Sequence, residues 1–329
     1  MSRQVVVATH GHCLDGLASA ALFTRLLRHV DPRELSFRYF AMGYGPGENG
    51  VPEHVLNGDE NVILDYRFSA SEKLTWYFDH HVSAFATEAE RVAFAERVRA
   101  GSVPRFFHDG AYGSCTKLIS DVGAKHFDLD PAPVKALVDW ADMIDRAAFP
   151  SAKMAVEKKE PVLKLMTVVE HLGDASFLER SVPVLLEHGI EALAELPLVR
   201  GAYAPFEAEQ HKFVALVEER AKIVGDTVLV DLTETELDTA PKFVTYALFP
   251  KSLYSVVVTR SKKKCKLSIG YNPWCGVPRT HDIARICERH GGGGHPVVGA
   301  ISLPSDETST AKARGLASDI ALELATPKT

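Results

Sequence analysis

The chain has 329 residues, enough for two domains, and its 46% hydrophobic content can fill two cores. A formal net charge of −6 argues against the broad electrostatic attraction that long nucleic acid needs, and no run of about 20 apolar residues offers a membrane span. Cys13, Cys115, Cys265, Cys275 and Cys287 make an odd set with no Cys-x-x-Cys pair, which argues against a disulfide framework and a structural zinc site. With no apolar leader after Met1-Ser2-Arg3-Gln4, a cytoplasmic location is expected.

Val5-Val6-Val7-Ala8 forms an apolar strand leading into Thr9-His10-Gly11-His12-Cys13-Leu14-Asp15-Gly16. Leu17 to Arg28 reads as a helix, followed by a strand at Leu35–Phe40 and a Gly/Pro-rich loop from Gly43 to Pro52. Asn61-Val62-Ile63-Leu64 is a buried strand closed by Asp65, and Leu74-Thr75-Trp76-Tyr77-Phe78 is another, closed by Asp79-His80-His81. A charged helix covers Thr87 to Arg99, and the turn Gly110–Thr116 feeds a helix to Phe127 that Ser114 or Thr116 can cap. Pro133 to Ala148 is the next helix. Strands alternating with helices imply parallel βαβ units.

From 150 to 225 the pattern is helical, including Pro161–Leu172, Ser176–Leu186 and Phe206–Ile223, and carries no motif with chemistry in it. A second α/β section opens at Thr227-Val228-Leu229-Val230-Asp231. It contains a hairpin, Tyr254–Val258 and Leu267–Tyr271, whose tip Arg260-Ser261-Lys262-Lys263-Lys264-Cys265-Lys266 is basic. A helix His281–His290, the run Gly291-Gly292-Gly293-Gly294-His295 and a strand Val297–Leu303 follow. The expected fold is therefore α/β: an N-terminal parallel-sheet domain over 1–190, a helical connector over 191–225 and a smaller C-terminal α/β domain over 226–329.

Three hydrophobic strands thus end in carboxylates and imidazoles within the first 81 residues. In an open α/β sheet the carboxyl ends of parallel strands face one crevice, where ligands bind. Oxygen and imidazole donors converging there suit divalent ions such as Mn²⁺ or Mg²⁺. Asp65, alone at its strand end, is the choice for a carboxylate bridging two ions about 3.5–4 Å apart. Asp79 is expected to orient a histidine rather than bind metal. Asp139, Asp142 and Asp145 add three acids at i, i+3 and i+6 of one helix, and at least one of them faces solvent. Four successive glycines after a helix let the backbone approach a ligand and offer N–H groups to phosphate oxygens.

The Asp79-His80-His81 triplet and the later Gly291–His295 run, in that order, resemble the DHH phosphoesterases with a C-terminal DHHA1-type (GGGGH) domain. The similarity is nearest to the nanoRNase and phosphoadenosine-phosphate phosphatase-like branch. It spans His10 to His295, with no matched motif over 146–225. The resemblance implies that His80 ligates a metal, that His81 contacts phosphate and that Asp15 is a ligand of the second metal. It implies Asp145, with Asp142 close behind, as the late-helix ligand. Gly292, Gly293, Gly294 and His295 would bind the phosphate or base end of the substrate, assisted by Arg260, Arg279 or Arg285. Two divalent ions are implied, Mn²⁺ foremost, with Mg²⁺, Co²⁺ and Zn²⁺ as alternatives.

The first loop departs from that pattern. Relatives carry a His followed by Asp-x-Asp, whereas here Cys13-Leu14-Asp15 puts a cysteine in the first place. His10 and His12 both ligate while Cys13 stands aside, or the Cys13 thiolate is itself a ligand and favours a softer ion, or one metal is weak. The first alternative is preferred. The expected function is a metal-dependent phosphodiesterase acting on short nucleotide phosphoesters: nanoRNA, linear or cyclic dinucleotides, or 3′-phosphoadenosine-5′-phosphate. Neither long nucleic acid nor a membrane is required, and a homodimer is compatible with the sequence. An exopolyphosphatase-like hydrolase and a catalytically weakened nucleotide-binding regulator are the alternatives.

Overall fold

A computed structural model describes residues 2–44, 50–101, 103–237, 240–241 and 243–326; half of the Gly/Pro-rich loop expected from Gly43 to Pro52 lies outside them. The chain divides into two units, 1–148 with 159–204 and 149–158 with 205–329.

In the first unit, β1 (Arg3–His10), α1 (Leu14–Val30), β2 (Leu35–Met42), β3 (Glu60–Leu64), β4 (Trp76–Asp79), α2 (Glu88–Ala100) and β5 (Phe106–His108) are followed by α3 (Cys115–Phe127). A 3₁₀ turn at Ala132–Val134 leads into α4 (Lys135–Asp145). The segment α5 (Ala152–Glu157) belongs to the second unit, where Val156 packs with Val228 and Val230. The chain then returns to the first unit for α6 (Pro161–Leu172) and α7 (Ala175–Ala194). No separate connector occupies 191–225: α8 (Pro197–Arg220) begins in the first unit and ends in the second, the division falling at 204/205.

The first sheet has the order β2-β1-β3-β4-β5, with every pairing parallel. Val5, Val6, Val7 and Ala8 are fully buried because β1 is central and covered on both faces, the environment that a continuous apolar run requires. Strand β5 has no counterpart in the sequence reading, since three residues give too short a pattern. The register aligns the strand ends: Thr9 lies beside Leu64, Leu64 beside Phe78 and Asp79 beside His108. From β1 the chain crosses to β2 on one side and then to β3 on the other. The gap beyond β1 and β3 is therefore a topological switch point, where open α/β sheets bind ligands.

The turn from β1 into α1 is tight. A Cβ on Gly16 would stand 1.9 Å from the His10 carbonyl oxygen, and the Thr9 hydroxyl donates to the Gly16 carbonyl at 2.9 Å. That approach sets Asp15, in the first turn of α1, directly beneath the strand ends.

The second unit contains β6 (Ala221–Val224), β7 (Thr227–Glu236), α9 (Val244–Leu248), β8 (Tyr254–Arg260), β9 (Lys264–Tyr271), α10 (Ile283–Glu288), β10 (Gly293–His295), β11 (Val298–Pro304) and α11 (Glu307–Leu324). Its mixed sheet runs β10-β11-β9-β8-β7-β6. The helix expected to reach Ile223 stops at Arg220, because Gly225 at φ +55° and Asp226 close a two-residue hairpin that pairs Val224 with Thr227. Helix α11, also unforeseen, buries Ala313, Ala317, Ile320 and Leu324 in one core with Val256, Val258 and Leu267. Among the described residues no helix is long and apolar enough to cross a membrane.

Gly16→Ala should be destabilised by about 1–3 kcal/mol, the usual cost of forcing extra volume into a packed site, as read by denaturant unfolding. An unchanged midpoint would show that the β1–α1 turn is not the constraint described here.

Candidate metal centre

Asp65 follows β3 with its backbone in the left-handed region at φ +53°, which a short polar side chain tolerates. Only 1% of it is exposed, and neither carboxylate oxygen has a hydrogen-bond partner among the described residues. Imidazole nitrogens surround it without bonding: His80 Nε2 at 3.4 Å, His10 Nδ1 at 3.6 Å and His81 Nδ1 at 3.7 Å. A buried carboxylate left unbonded costs several kcal/mol unless a cation compensates it.

His80 is aimed at the same place. Its Nδ1 meets the Tyr112 carbonyl at 3.2 Å, which fixes the ring and leaves Nε2 facing inward, unbonded. Nε2 lies 3.4 Å from Asp145 Oδ2 and 3.8 Å from Asp15 Oδ2. Asp15 is held by the start of α3, its two oxygens accepting the backbone N–H groups of Cys115 at 2.7 Å and Thr116 at 2.9 Å. Ser114 caps that helix through the Lys117 N–H, while the Thr116 hydroxyl turns to the Asp15 carbonyl. Asp145, the last residue of α4, enters the cluster; Asp142 does not, pairing instead with Arg146 at 3.2 Å, and Asp139 pairs with Lys135 on the exposed face.

Asp79 is wholly occupied by protein donors. Its Oδ1 accepts from the His80 N–H at 2.9 Å and meets His81 Nδ1 at 2.7 Å, and its Oδ2 accepts from the Tyr77 hydroxyl at 3.1 Å. It therefore orients His81, whose side chain is 32% exposed beside the cluster.

Three groups of donors lie within 4.8 Å of one another: His10 with Cys13 and Asp65, Asp65 with His80 and His81, and Asp15 with His80 and Asp145. Asp65 belongs to two of them, as a bridging carboxylate must. His12 belongs to none. Its backbone sits at φ +54° and donates to the Gly173 carbonyl at 3.0 Å, leaving the residue exposed while Cys13 turns toward His10. The structure thus brings together His10, Asp15, Asp65, His80, His81 and Asp145, adds Cys13, and leaves His12 and Asp142 outside.

The charge pattern is that of a cation site. Burial raises the Asp15 carboxyl well above its ordinary value, reinforced by Asp65 and Asp145, and burial with the Asp65 charge likewise raises Asp145. Burial alone would lower His80, but Asp65, Asp15 and Asp145 outweigh it and push the imidazole up to about 9. At Asp65 burial is also outweighed, by the imidazoles of His10, His80 and His81, and the carboxyl falls below its usual value. The bond to Asp79 raises His81.

At the rim, the Tyr44 ring meets His10 edge to face at 5.0 Å, and the Arg67 guanidinium lies over Tyr44 at 5.4 Å. Tyr44 is 44% exposed. No sequence motif could have linked these residues, which the fold brings together from opposite sides of β1.

In the second unit, a Cβ on Gly292 would stand 2.2 Å from the Ala300 carbonyl and one on Gly294 2.3 Å from that of Val298, so close packing on β11 already requires both glycines. Gly293 faces open space, and His295 is exposed on β10. Arg260 is not brought near His295: it lies five residues along the ladder from Ser255, which shares the His295 row, roughly 16 Å away along the strands.

No family model and no curated protein matches the sequence. Solved structures at 13–17% identity share its fold. A pGpG-specific phosphodiesterase, PggH, from Vibrio cholerae is similar with a TM-score of 0.66 and 17% identity over 97% of this chain and 99% of that one. An exopolyphosphatase-related protein from Bacteroides fragilis is similar at 0.54, with 13% identity over 99% and 94%. RecJ in complex with Mn²⁺ from Thermus thermophilus is similar at 0.50, with 14% identity over 99% of this chain and 53% of RecJ.

Asp145→Asn and His10→Ala should each weaken Mn²⁺ binding to metal-stripped protein by more than roughly tenfold in calorimetry, whereas Asp142→Asn and His12→Ala should leave it within about threefold. Binding should also release protons, His80 among them, so affinity should climb as pH rises toward the raised pKa of that imidazole. Equal losses in all four variants would dissolve the boundary drawn around the cluster.

Proposed function

We propose that the protein is a divalent-metal-dependent phosphoesterase that hydrolyses short nucleotide phosphoesters, linear dinucleotides foremost. The observation that carries this reading is the Asp65 carboxylate, buried and unbonded among three imidazoles at the switch point. The donors fit the hard-to-borderline ions expected for such chemistry. Asp15, His80 and Asp145 would hold one ion, His10 would serve another, and Asp65 would lie between them. Such ions neutralise phosphate oxygens and lower the pKa of a bound water.

The chain's own residues supply the rest. Asp79, fixed by Tyr77, holds His81 through Nδ1 and favours its protonated form, which leaves Nε2 as a donor for a phosphate oxygen in the transition state. The contacts of Asp15 with α3 and of His80 with Tyr112 hold both side chains in place before any ligand arrives. Arg67, stacked on Tyr44 beside His10, offers a guanidinium to a neighbouring phosphate. In the second unit, Gly293 faces open space and His295 is exposed, which makes them the candidates there for a ligand contact. Similarity to a pGpG-specific phosphodiesterase over nearly the whole of both chains supports a linear dinucleotide, and similarity to an exopolyphosphatase-related protein keeps polyphosphate as the second substrate to test.

Metal-stripped protein should be offered linear and cyclic dinucleotides, nanoRNA, 3′-phosphoadenosine-5′-phosphate and polyphosphate, with Mn²⁺, Mg²⁺, Co²⁺ or Zn²⁺ restored. Asp65→Asn should lower kcat/KM on the best substrate by roughly a thousandfold or more while the fold persists by circular dichroism. Retention of about a tenth of the activity would sink the bridging role. Arg67→Gln should raise KM about tenfold with a smaller change in kcat, as expected for the loss of a charged contact shared by ground and transition states.

A further inference from the structure

We propose that Cys13 is a thiolate ligand, and that the position it shares with His10 and Asp65 takes a softer divalent ion, of the Zn²⁺ or Fe²⁺ kind, than the position formed by Asp15, His80 and Asp145. This rests on the metal-dependent reading above and adds the chemical identity of one of its two positions.

The ligand atoms of His10, Cys13 and Asp65 all lie within 4.8 Å of one another. Asp65, 1% exposed and with both oxygens unbonded, is aimed into that space, and His10 Nδ1 stands 3.6 Å from Asp65 Oδ2. Cys13 is the N-cap of α1, in extended conformation. Other cysteines of the chain have ordinary structural places. Cys115 is buried with its thiol donating to the Phe78 carbonyl at 3.3 Å, and Cys265 and Cys287 lie in the apolar core of the second unit. A free cysteine normally packs as a small hydrophobe. Cys13 instead has its sulfur within reach of a carboxylate and an imidazole.

Charge makes the same assignment. The second position opposes a dication with two carboxylates, Asp15 and Asp145, besides the shared Asp65. The first has only Asp65 unless Cys13 contributes. As the sulfur–metal bond forms, the thiol proton passes to solvent, and the resulting thiolate restores the balance. Thiolate with imidazole selects softer ions, whereas paired carboxylates select Mn²⁺ or Mg²⁺. The centre is therefore asymmetric, with one end soft and the other hard.

Cobalt reports thiolate ligation directly. Metal-stripped full-length protein titrated with Co²⁺ should develop an intense near-ultraviolet sulfur-to-cobalt charge-transfer absorption that Cys13→Ser abolishes. Zn²⁺ affinity in that variant should fall by more than the roughly 10- to 100-fold that loss of an outer hydrogen-bond partner costs. Cys13→Asp should shift the preference of the same position from Zn²⁺ toward Mn²⁺. Peptide mapping needs no variant: alkylation of Cys13 in the wild-type chain should be slower with Zn²⁺ bound than in the metal-stripped protein. Co²⁺ binding without the sulfur band, or Zn²⁺ that leaves Cys13 alkylation unchanged, overturns the proposal while the phosphoesterase reading stands. A chain that binds no divalent ion at all overturns both.

Discussion

One buried carboxylate without a hydrogen bond organises the first unit. Asp65 is closed off from water, held in a left-handed backbone conformation and surrounded by imidazoles at 3.4–3.7 Å that make no well-formed hydrogen bond to it. Left uncompensated, such a group costs several kcal/mol, a substantial fraction of the stability of a domain. The local structure keeps it poised rather than satisfied. Asp79 holds His81, Tyr112 holds His80 and the start of α3 holds Asp15, so each neighbour has a partner outside the cluster and one face turned inward. That is an arrangement for receiving charge from outside the protein.

Its location follows from topology. Because β1 lies between β2 and β3, the chain leaves β1 in one direction and returns on the other side, and the loops after β1 and β3 separate. His10 and Asp65 stand at those two strand ends. Gly16 brings α1 against β1 closely enough to add Asp15, and α4 contributes Asp145 from its last turn. Residues 135 positions apart in sequence thus share one small space, each placed by an element with its own reason to end there.

The first loop contains the principal asymmetry. A residue in the position of His12 needs an exposed left-handed turn to let the chain pass from β1 into α1, and this turns its ring outward. Cys13, next in sequence, faces the cluster. The sequence left the two histidines, here preferred, and the cysteine as alternatives, because sequence carries no information about which side of a tight turn a side chain leaves.

Much of this protein is legible in its sequence. The apolar runs ending at Asp65 and Asp79 mark buried parallel strands, since only strands covered on both faces read as continuous hydrophobic stretches, and their polar ends locate the crevice. Periodicity likewise marks α1, α3, α4 and α6, whose apolar faces must meet a core. Tertiary structure decided what depends on distance rather than period. It separated Asp145 from Asp142, which lie on the same helix, one facing the cluster and the other paired with Arg146. It ended α8 at a hairpin, set Arg260 far along the sheet from His295, and stacked Arg67 on Tyr44. Local pattern determines which face of an element is apolar, but which polar groups then converge is settled only when separate elements pack, because their contacts depend on backbone approach and register that no single segment contains.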